Sequence, residues 1–244
     1  MKRAISGLLD MAPFRMAVGM ACMGTGIPFR GTWIRTEGIA SFAGPKLFTG
    51  RYERAEIDFI HAYMPRDLDA LELGSSIGGT SCQIKKLIRN DRHVTCVEAN
   101  PMLISVLRDN LDRNPGKASS RVVHAMIGAS DGPAYFRPDE SSLCSTAAEA
   151  EPGMVKVPMR SFRSIVDEYC DRDYSLISDI EGAEGHLLGD LKALERCRCI
   201  ILEAHPFVSQ DHTFTLEDVI RIPFDSGMWR MVDRYGAVAA FTRE

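Results

Sequence analysis

The sequence predicts an α/β fold built on a mostly parallel sheet with helices on both faces. Three observations carry this. A short apolar run over Leu68 to Leu73 passes through Gly74 and Gly78 into a helical pattern, Thr80 to Ile88, which is strand, tight turn and helix. A β-branched run, His93 to Glu98, is followed by Ala99-Asn100-Pro101 and a second helical stretch, Met102 to Asn114. Strand-like and helical segments keep alternating downstream, and such alternation builds parallel sheets.

The elements follow in order. Residues 1 to 50 carry the weakest periodicity: Met16 to Met23 is a helical turn or two, Gly24 to Pro28 a loop, and Thr32 to Arg35 a short edge strand. From Tyr52 the pattern is helical, with Ala55, Ile57, Phe59, Ile60 and Tyr63 mostly on one face and Pro65 as the stop. After the two strand-helix units comes a third strand, Arg121 to Ala125, and then a turn cluster, Gly128 to Pro133. Short strands at Ala134 to Phe136 and Met154 to Val157 flank a polar loop, Ser141 to Pro152, of a length typical of lids and binding loops. A helix over Ser161 to Tyr169, a fourth strand over Tyr174 to Ile180, a helix over Glu184 to Leu194 and a fifth strand over Arg198 to Glu203 come next. The helix over 184–194 shows a leucine stripe, Leu187, Leu188, Leu191 and Leu194. A helix near Leu216 to Ile220 precedes a terminal hairpin of Trp229 to Val232 and Val238 to Phe241. Five parallel strands and this hairpin make seven.

Composition sets limits. The chain has 244 residues, 45% hydrophobic and 25% charged, as expected for a globular protein with ample core. A net charge of −4 offers no basic surplus for a nucleic-acid backbone or an anionic membrane. Seven scattered cysteines without framework spacing or a C-x-x-C pair imply reduced thiols in the cytoplasm and no structural zinc site. The apolar run at 16–23 is too short to span a bilayer, and Asp10, Pro13 and Arg15 interrupt a signal-peptide pattern.

Ligands of such sheets bind outside the carboxyl ends of the strands, and Glu72, Glu98, Asp179 and Glu203 all fall there. The first loop discriminates between cofactors. A dinucleotide loop reads G-x-G-x-x-G, and Ser76 stands where its second glycine belongs. An acid, a spacer and G-x-x-x-G, here Glu72-Leu73-Gly74-Ser75-Ser76-Ile77-Gly78, instead resembles the loop of class I S-adenosylmethionine (SAM) methyltransferases. SAM carries an ammonium, a carboxylate and a sulfonium: Glu72 suits its cationic part and bare glycine backbone its methionine tail. Glu98 stands where a carboxylate accepts two hydrogen bonds from the ribose, with Ala99 and Asn100 beside it. Ala125 and Met126, at the end of the third strand, complete the expected cofactor contacts.

A second cluster follows the fourth strand: Asp179-Ile180-Glu181-Gly182-Ala183-Glu184. Clustered acids need a cation, a proton or backbone donors, and for Glu181 and Glu184 helix capping is an adequate alternative. With these residues the chain resembles the FkbM family of SAM-dependent methyltransferases, over about Gly50 to His205. The resemblance rests on Gly50-x-Tyr52-Glu53, the Glu72-Leu-Gly74 loop, Val97-Glu98-Ala-Asn100-Pro101, Asp179-Ile-Glu181-Gly182-Ala-Glu184 and Glu203-Ala-His205-Pro206. It departs in having Glu72 for the usual aspartate, Ser75-Ser76 for Ala-Asn, and Ile177 where relatives tend to carry lysine.

The resemblance implies a class I methyltransferase, Rossmann-like fold: a mostly parallel seven-stranded sheet, helices on both faces and a C-terminal antiparallel hairpin. It divides the chain into an N-terminal cap, 1–50, and a SAM-binding domain, 51–244. It implies methylation of a hydroxyl on a small molecule, sugar or lipid. The expected base is His205, beside Glu203 and titrating near neutrality. Asp179 is expected to act as base, orient the acceptor or touch the cofactor. A divalent cation on Asp179 and Glu181 is the less favoured route. Two other functions stay open, a catalytically silent SAM-binding partner subunit and a methyltransferase acting on nitrogen of a macromolecule. No nucleic-acid partner and no membrane span are expected, and the N-terminal segment is a candidate homo-oligomer contact.

Overall fold

A computed structural model describes residues 26–36, 40–137, 146–147, 152–209 and 212–243 of the chain. Seven strands form one sheet, in the spatial order Arg230–Tyr235, Val238–Thr242, Cys197–Glu203, Tyr174–Ser178, Asp69–Leu73, His93–Glu98 and Ser119–His124. The five parallel ones are β3 (Asp69–Leu73), β4 (His93–Glu98), β5 (Ser119–His124), β10 (Tyr174–Ser178) and β11 (Cys197–Glu203). The hairpin strand β15 (Val238–Thr242) runs antiparallel to β11 and pairs outward with β14 (Arg230–Tyr235). This is the seven-stranded Rossmann-like sheet with a terminal antiparallel hairpin that the sequence predicts. β3 and β10 are buried along their whole length, as central strands covered on two faces must be.

Each face of the sheet packs its own apolar layer. On one side lie α2 (Arg54–Tyr63), α3 (Gly79–Leu87) and α4 (Ile104–Arg113), with Ile57, Ile60, Ile84, Leu107 and Leu111 in the layer. On the other lie α5 (Phe162–Tyr169), α6 (Glu184–Leu188) and α7 (Leu216–Asp225), with Phe162, Ile165, Leu187, Val219 and Trp229. The caps behave as their residues dictate. Ser161 accepts from Ser164 N–H at the start of α5, and Thr215 with Asp218 forms a reciprocal capping box at α7.

The N-terminal region differs from expectation. Ile27 and Pro28 are strand rather than loop: β1 (Ile27–Phe29) pairs with β2 (Thr32–Ile34) apart from the main sheet. A helix that periodicity did not reveal, α1 (Ala40–Phe48), follows despite Pro45. Ile27, Phe29, Ile34, Ala43 and Leu47 enter the same apolar layer as α2 and α3. The expected helical turn at Met16 to Met23 lies outside the described residues.

Two further corrections bear on the site. The fourth strand ends at Ser178, so Asp179 and Glu181 sit in a turn and strand alternation does not govern them. The expected helix over 184–194 stops at Leu188, and a 3-10 turn, Ala193–Arg196, takes up the rest. Asp190 ends it by accepting from Ala193 N–H, and Leu191 is half exposed rather than part of an apolar stripe. Between β5 and α5 the chain forms a small sheet in the order β6-β9-β7-β8, from β6 (Met126–Gly128), β7 (Gly132–Phe136), β8 (Thr146–Ala147) and β9 (Val155–Ser161). A second hairpin, β12 (Phe207–Ser209) with β13 (His212–Phe214), follows β11 and stacks Phe207 on Phe214.

Candidate active site

The carboxyl ends of β3, β4, β10 and β11 lie side by side, and their loops are bonded to one another. Gly74 and Ser75 N–H donate to Val97 O at 2.9 and 3.1 Å, and Asp179 N–H donates to Leu73 O at 3.0 Å. Ala125 N–H donates to Glu98 O at 3.0 Å, which ties the end of β5 to that of β4.

Glu98 is held as an anchor for a ligand must be. Its Oε2 accepts from Ser76 N–H and its Oε1 from Asn100 N–H, each at 2.7 Å. A carboxylate has about four acceptor positions, so Glu98 keeps capacity for a further donor. Burial raises its pKa while the backbone donors from Asn100, Ser76 and Ala99 pull the other way. Asn100 in turn accepts from Met102 N–H at 3.0 Å, and Ala99 O meets His124 Nε2 at 3.1 Å. Ala125 is buried and Met126 half-buried beside them.

Glu72 stands differently. It is 2% exposed, and its Oε2 accepts from Ser75 Oγ at 2.8 Å and from Ser81 Oγ. Burial lifts its pKa to about 7 against the help of those hydroxyls. Its carboxyl is committed to the loop and to the first turn of α3, which it fastens together.

The glycines also serve the protein's own packing. Gly74 and Gly78 have φ of 83° and 82°. A Cβ at Gly74 would overlap the backbone carbonyl of Asp179, and one at Gly78 would stand 2.7 Å from Leu107 Cδ1. The close approach inferred from sequence is thus an approach of loop to neighbouring loop and of loop to helix.

Beside this loop an acidic cluster gathers from three segments. Glu53, Asp179 and Glu203 form one triad, and Asp179, Glu181 and His205 another, each set of ligand-type atoms lying within 4.8 Å. His205 Nε2 is 3.3 Å from Glu181 Oε2 and 3.8 Å from Asp179 Oδ1, while Nδ1 is 3.0 Å from Glu184 Oε1. Burial works to lower the His205 pKa, yet the Glu184 hydrogen bond and the Asp179, Glu184 and Glu181 charges carry it up to about 9. The near-neutral titration expected from sequence is therefore displaced upward. Glu53 is pushed up to about 7 by burial and by Glu203, and Asp179 is raised well above the usual range by burial and the same neighbour. Glu184 does not cap α6: Ala183 occupies that position with no side-chain bond, and Glu184 is fully buried against His205.

Four described residues other than glycine adopt left-handed backbone, and three of them serve this region. Ser76 (φ 48°) aims its N–H at Glu98, and Glu53 (φ 40°) and Glu181 (φ 54°) carry carboxylates into the cluster. Such conformations cost about 1–3 kcal/mol each and persist where surrounding structure dictates them.

Sequence reasoning singled out Glu72, Glu98, Asp179, Glu181 and His205, and all lie at this end of the sheet. It assigned no role to Glu53, Glu56 or Tyr52. Glu53 leads α2, Glu56 is 4% exposed in its first turn, and the Tyr52 ring fills the space a Cβ on Gly79 would need. A glutamate among the apolar positions of a buried helix was the available signal.

No family model matches the chain, and no curated protein matches it. Among solved structures it is similar to a proposed RNA methyltransferase of Pyrococcus horikoshii, at 13% identity over 94% of this chain and 96% of that one, with a TM-score of 0.46. It is also similar to a precorrin-6y C5,15-methyltransferase of Geobacter metallireducens, at 17% identity over 80% and 88% of the chains and a TM-score of 0.42. A third is a tRNA m1G37 methyltransferase of M. jannaschii, at 10% identity over 79% of this chain and 49% of that one, TM-score 0.42. No helix among the described residues is long and apolar enough to cross a membrane.

Proposed function

We propose that the chain is a SAM-dependent methyltransferase of the FkbM type that methylates a hydroxyl on a small molecule, sugar or lipid. One observation carries this: Glu98, fixed by Ser76 and Asn100 N–H at the end of β4, keeps acceptor capacity for a ligand hydroxyl beside a loop without G-x-G-x-x-G. That donor and acceptor set fits the paired hydroxyls of a ribose. Ala99, Asn100, Ala125 and Met126 are assigned to the nucleoside, and the backbone of 74–78 to the methionine end.

When bound, SAM supplies a methyl group on a sulfonium, which an oxygen nucleophile takes by in-line displacement. The chain's own residues position the acceptor, worth several kcal/mol of barrier. Asp179, whose backbone is bonded beneath the loop, and His205 orient the acceptor hydroxyl, and its proton leaves through the carboxylates of the cluster.

Calorimetry tests the cofactor. SAM and its demethylated product are expected to bind with micromolar affinity and NAD is not; binding of NAD alone would overturn the reading. Labelled SAM incubated with a metabolite extract, followed by mass spectrometry of the products, identifies the acceptor. A SAM-binding protein that labels nothing would be the silent partner subunit instead.

A further inference from the structure

We propose that Asp179, Glu181 and His205 bind one divalent metal ion, with Glu184 as the group that orients His205. The three side chains each offer one ligand atom, all within 4.8 Å of one another. Ligands at about 2.0–2.3 Å from a common ion are separated by distances of this order.

The second line of support is independent of the crowding of acids. Glu184 is fully buried, accepts at Oε1 from His205 Nδ1 at 3.0 Å, and has no hydrogen-bond partner for Oε2 among the described residues. Asp179 Oδ1 is sealed from solvent and also lacks a partner among them, although it faces the imidazole. A buried carboxylate is costly unless something compensates it. A histidine whose Nδ1–H is donated to a carboxylate, with Nε2 turned toward further carboxylates, is the arrangement that orients a metal-binding imidazole. With Nδ1–H so committed, Nε2 would face Asp179 and Glu181 with a lone pair. Only a proton or a metal ion there makes that encounter attractive.

Glu53 and Glu203 flank Asp179 and add negative charge, and Lys46 of α1 acts on Glu53 and Glu181 from outside. The imidazole nitrogen decides the class of ion. A mixed nitrogen and oxygen set favours a first-row transition metal such as Mn²⁺ over Mg²⁺, which the oxygen-only triad Glu53, Asp179 and Glu203 would suit. Any effect on methyl transfer, such as lowering the pKa of an acceptor hydroxyl, rests on the function proposed above. The binding itself does not.

The test uses the full chain freed of metal by chelator and then titrated with Mn²⁺, free ion being read by its electron paramagnetic resonance signal. One saturable site per chain is expected. Asp179→Asn, Glu181→Gln and His205→Gln should each weaken it about tenfold or more, and Glu53→Gln should leave it nearly unchanged. No uptake into the millimolar range would overturn the proposal and leave a plain imidazolium between carboxylates. Equal losses in E53Q and E181Q would also overturn it, in favour of the oxygen-only triad. Circular dichroism reports whether each variant is folded, and Glu181, half-buried in a turn, provides the decisive comparison should D179N unfold. SAM calorimetry on the same metal-free sample keeps failure of metal binding distinct from failure of the methyltransferase reading.

Discussion

Gly74 and Asp179 meet backbone to backbone: the carbonyl of Asp179 occupies the space that any side chain at Gly74 would need. The contact locks the loop after β3 to the turn after β10, and Asp179 N–H bonded to Leu73 O at 3.0 Å reinforces it. The glycine loop after β3 and the acidic cluster therefore pack as one unit.

Gly74→Ala should destabilise the fold by on the order of 3 kcal/mol or more, since the alanine meets both a left-handed φ of 83° and a backbone overlap. Urea unfolding measures this. A loss below about 1 kcal/mol would mean the two loops separate easily.

Glu98→Ala should weaken SAM binding by roughly 30-fold or more, because two charge-assisted hydrogen bonds to the ribose are lost at about 1–2 kcal/mol each. The variant also frees Ser76 and Asn100 N–H. Unchanged affinity in a folded protein would place the ribose elsewhere.

Glu72 makes stability depend on pH with a definite sign. Its folded pKa of about 7 exceeds that of an unfolded glutamate, about 4.3, so the folded state holds the proton more tightly. The contribution is fully present below about pH 4.3 and is lost as pH rises to about 7, a change on the order of 3 kcal/mol. Glu56 and Asp179, also raised, act in the same sense, so the difference between wild type and Glu72→Gln isolates the effect. Denaturation midpoints from pH 4 to pH 8 should fall less in E72Q than in wild type; parallel curves would show that the folded pKa of Glu72 is not raised.

Asn110 ties the segment after β2 to the glycine loop after β3. Its side chain is fully buried, accepts from Arg35 N–H at 2.8 Å, and donates to Arg35 O at 2.9 Å and Ile77 O at 2.7 Å. Asn110→Ala leaves those backbone groups unpaired and should cost about 3 kcal/mol. Faster hydrogen exchange at Arg35 should accompany the loss. Unaltered exchange there would show that β2 is held by Asn114 and its apolar contacts without help from Asn110.

Much of this architecture was legible in local pattern. His93 to Glu98 is a strand over the span its β-branched run suggested, and Glu98 ends it. The hairpin at the carboxyl end was legible in the same way, because turn residues and alternation are local properties. The helix α1 was not: Gly44 and Pro45 interrupt its pattern, and burial of Ala43 and Leu47 under the rest of the domain sustains it. Nor was the leucine-striped helix over 184–194 read correctly. Gly189 and Asp190 end it, and Asp190 holds the new turn through Ala193 N–H.

By itself the sequence determined the order of the elements, and with it the row of carboxylates at the strand ends: Glu72, Glu98, Asp179 and Glu203. Hydrophobic periodicity and glycine placement act within a few residues, so they are written into the chain. Only the tertiary structure decided what each carboxylate faces. Glu72 turns under α3 to meet Ser75 and Ser81, whereas Glu98 keeps acceptor positions for a ligand. Glu53 joins Asp179 across more than a hundred residues, and the His205 pKa, which burial works to lower, is raised by Glu184, Asp179 and Glu181. Burial and charge proximity set those properties, and both arise only when distant segments pack together.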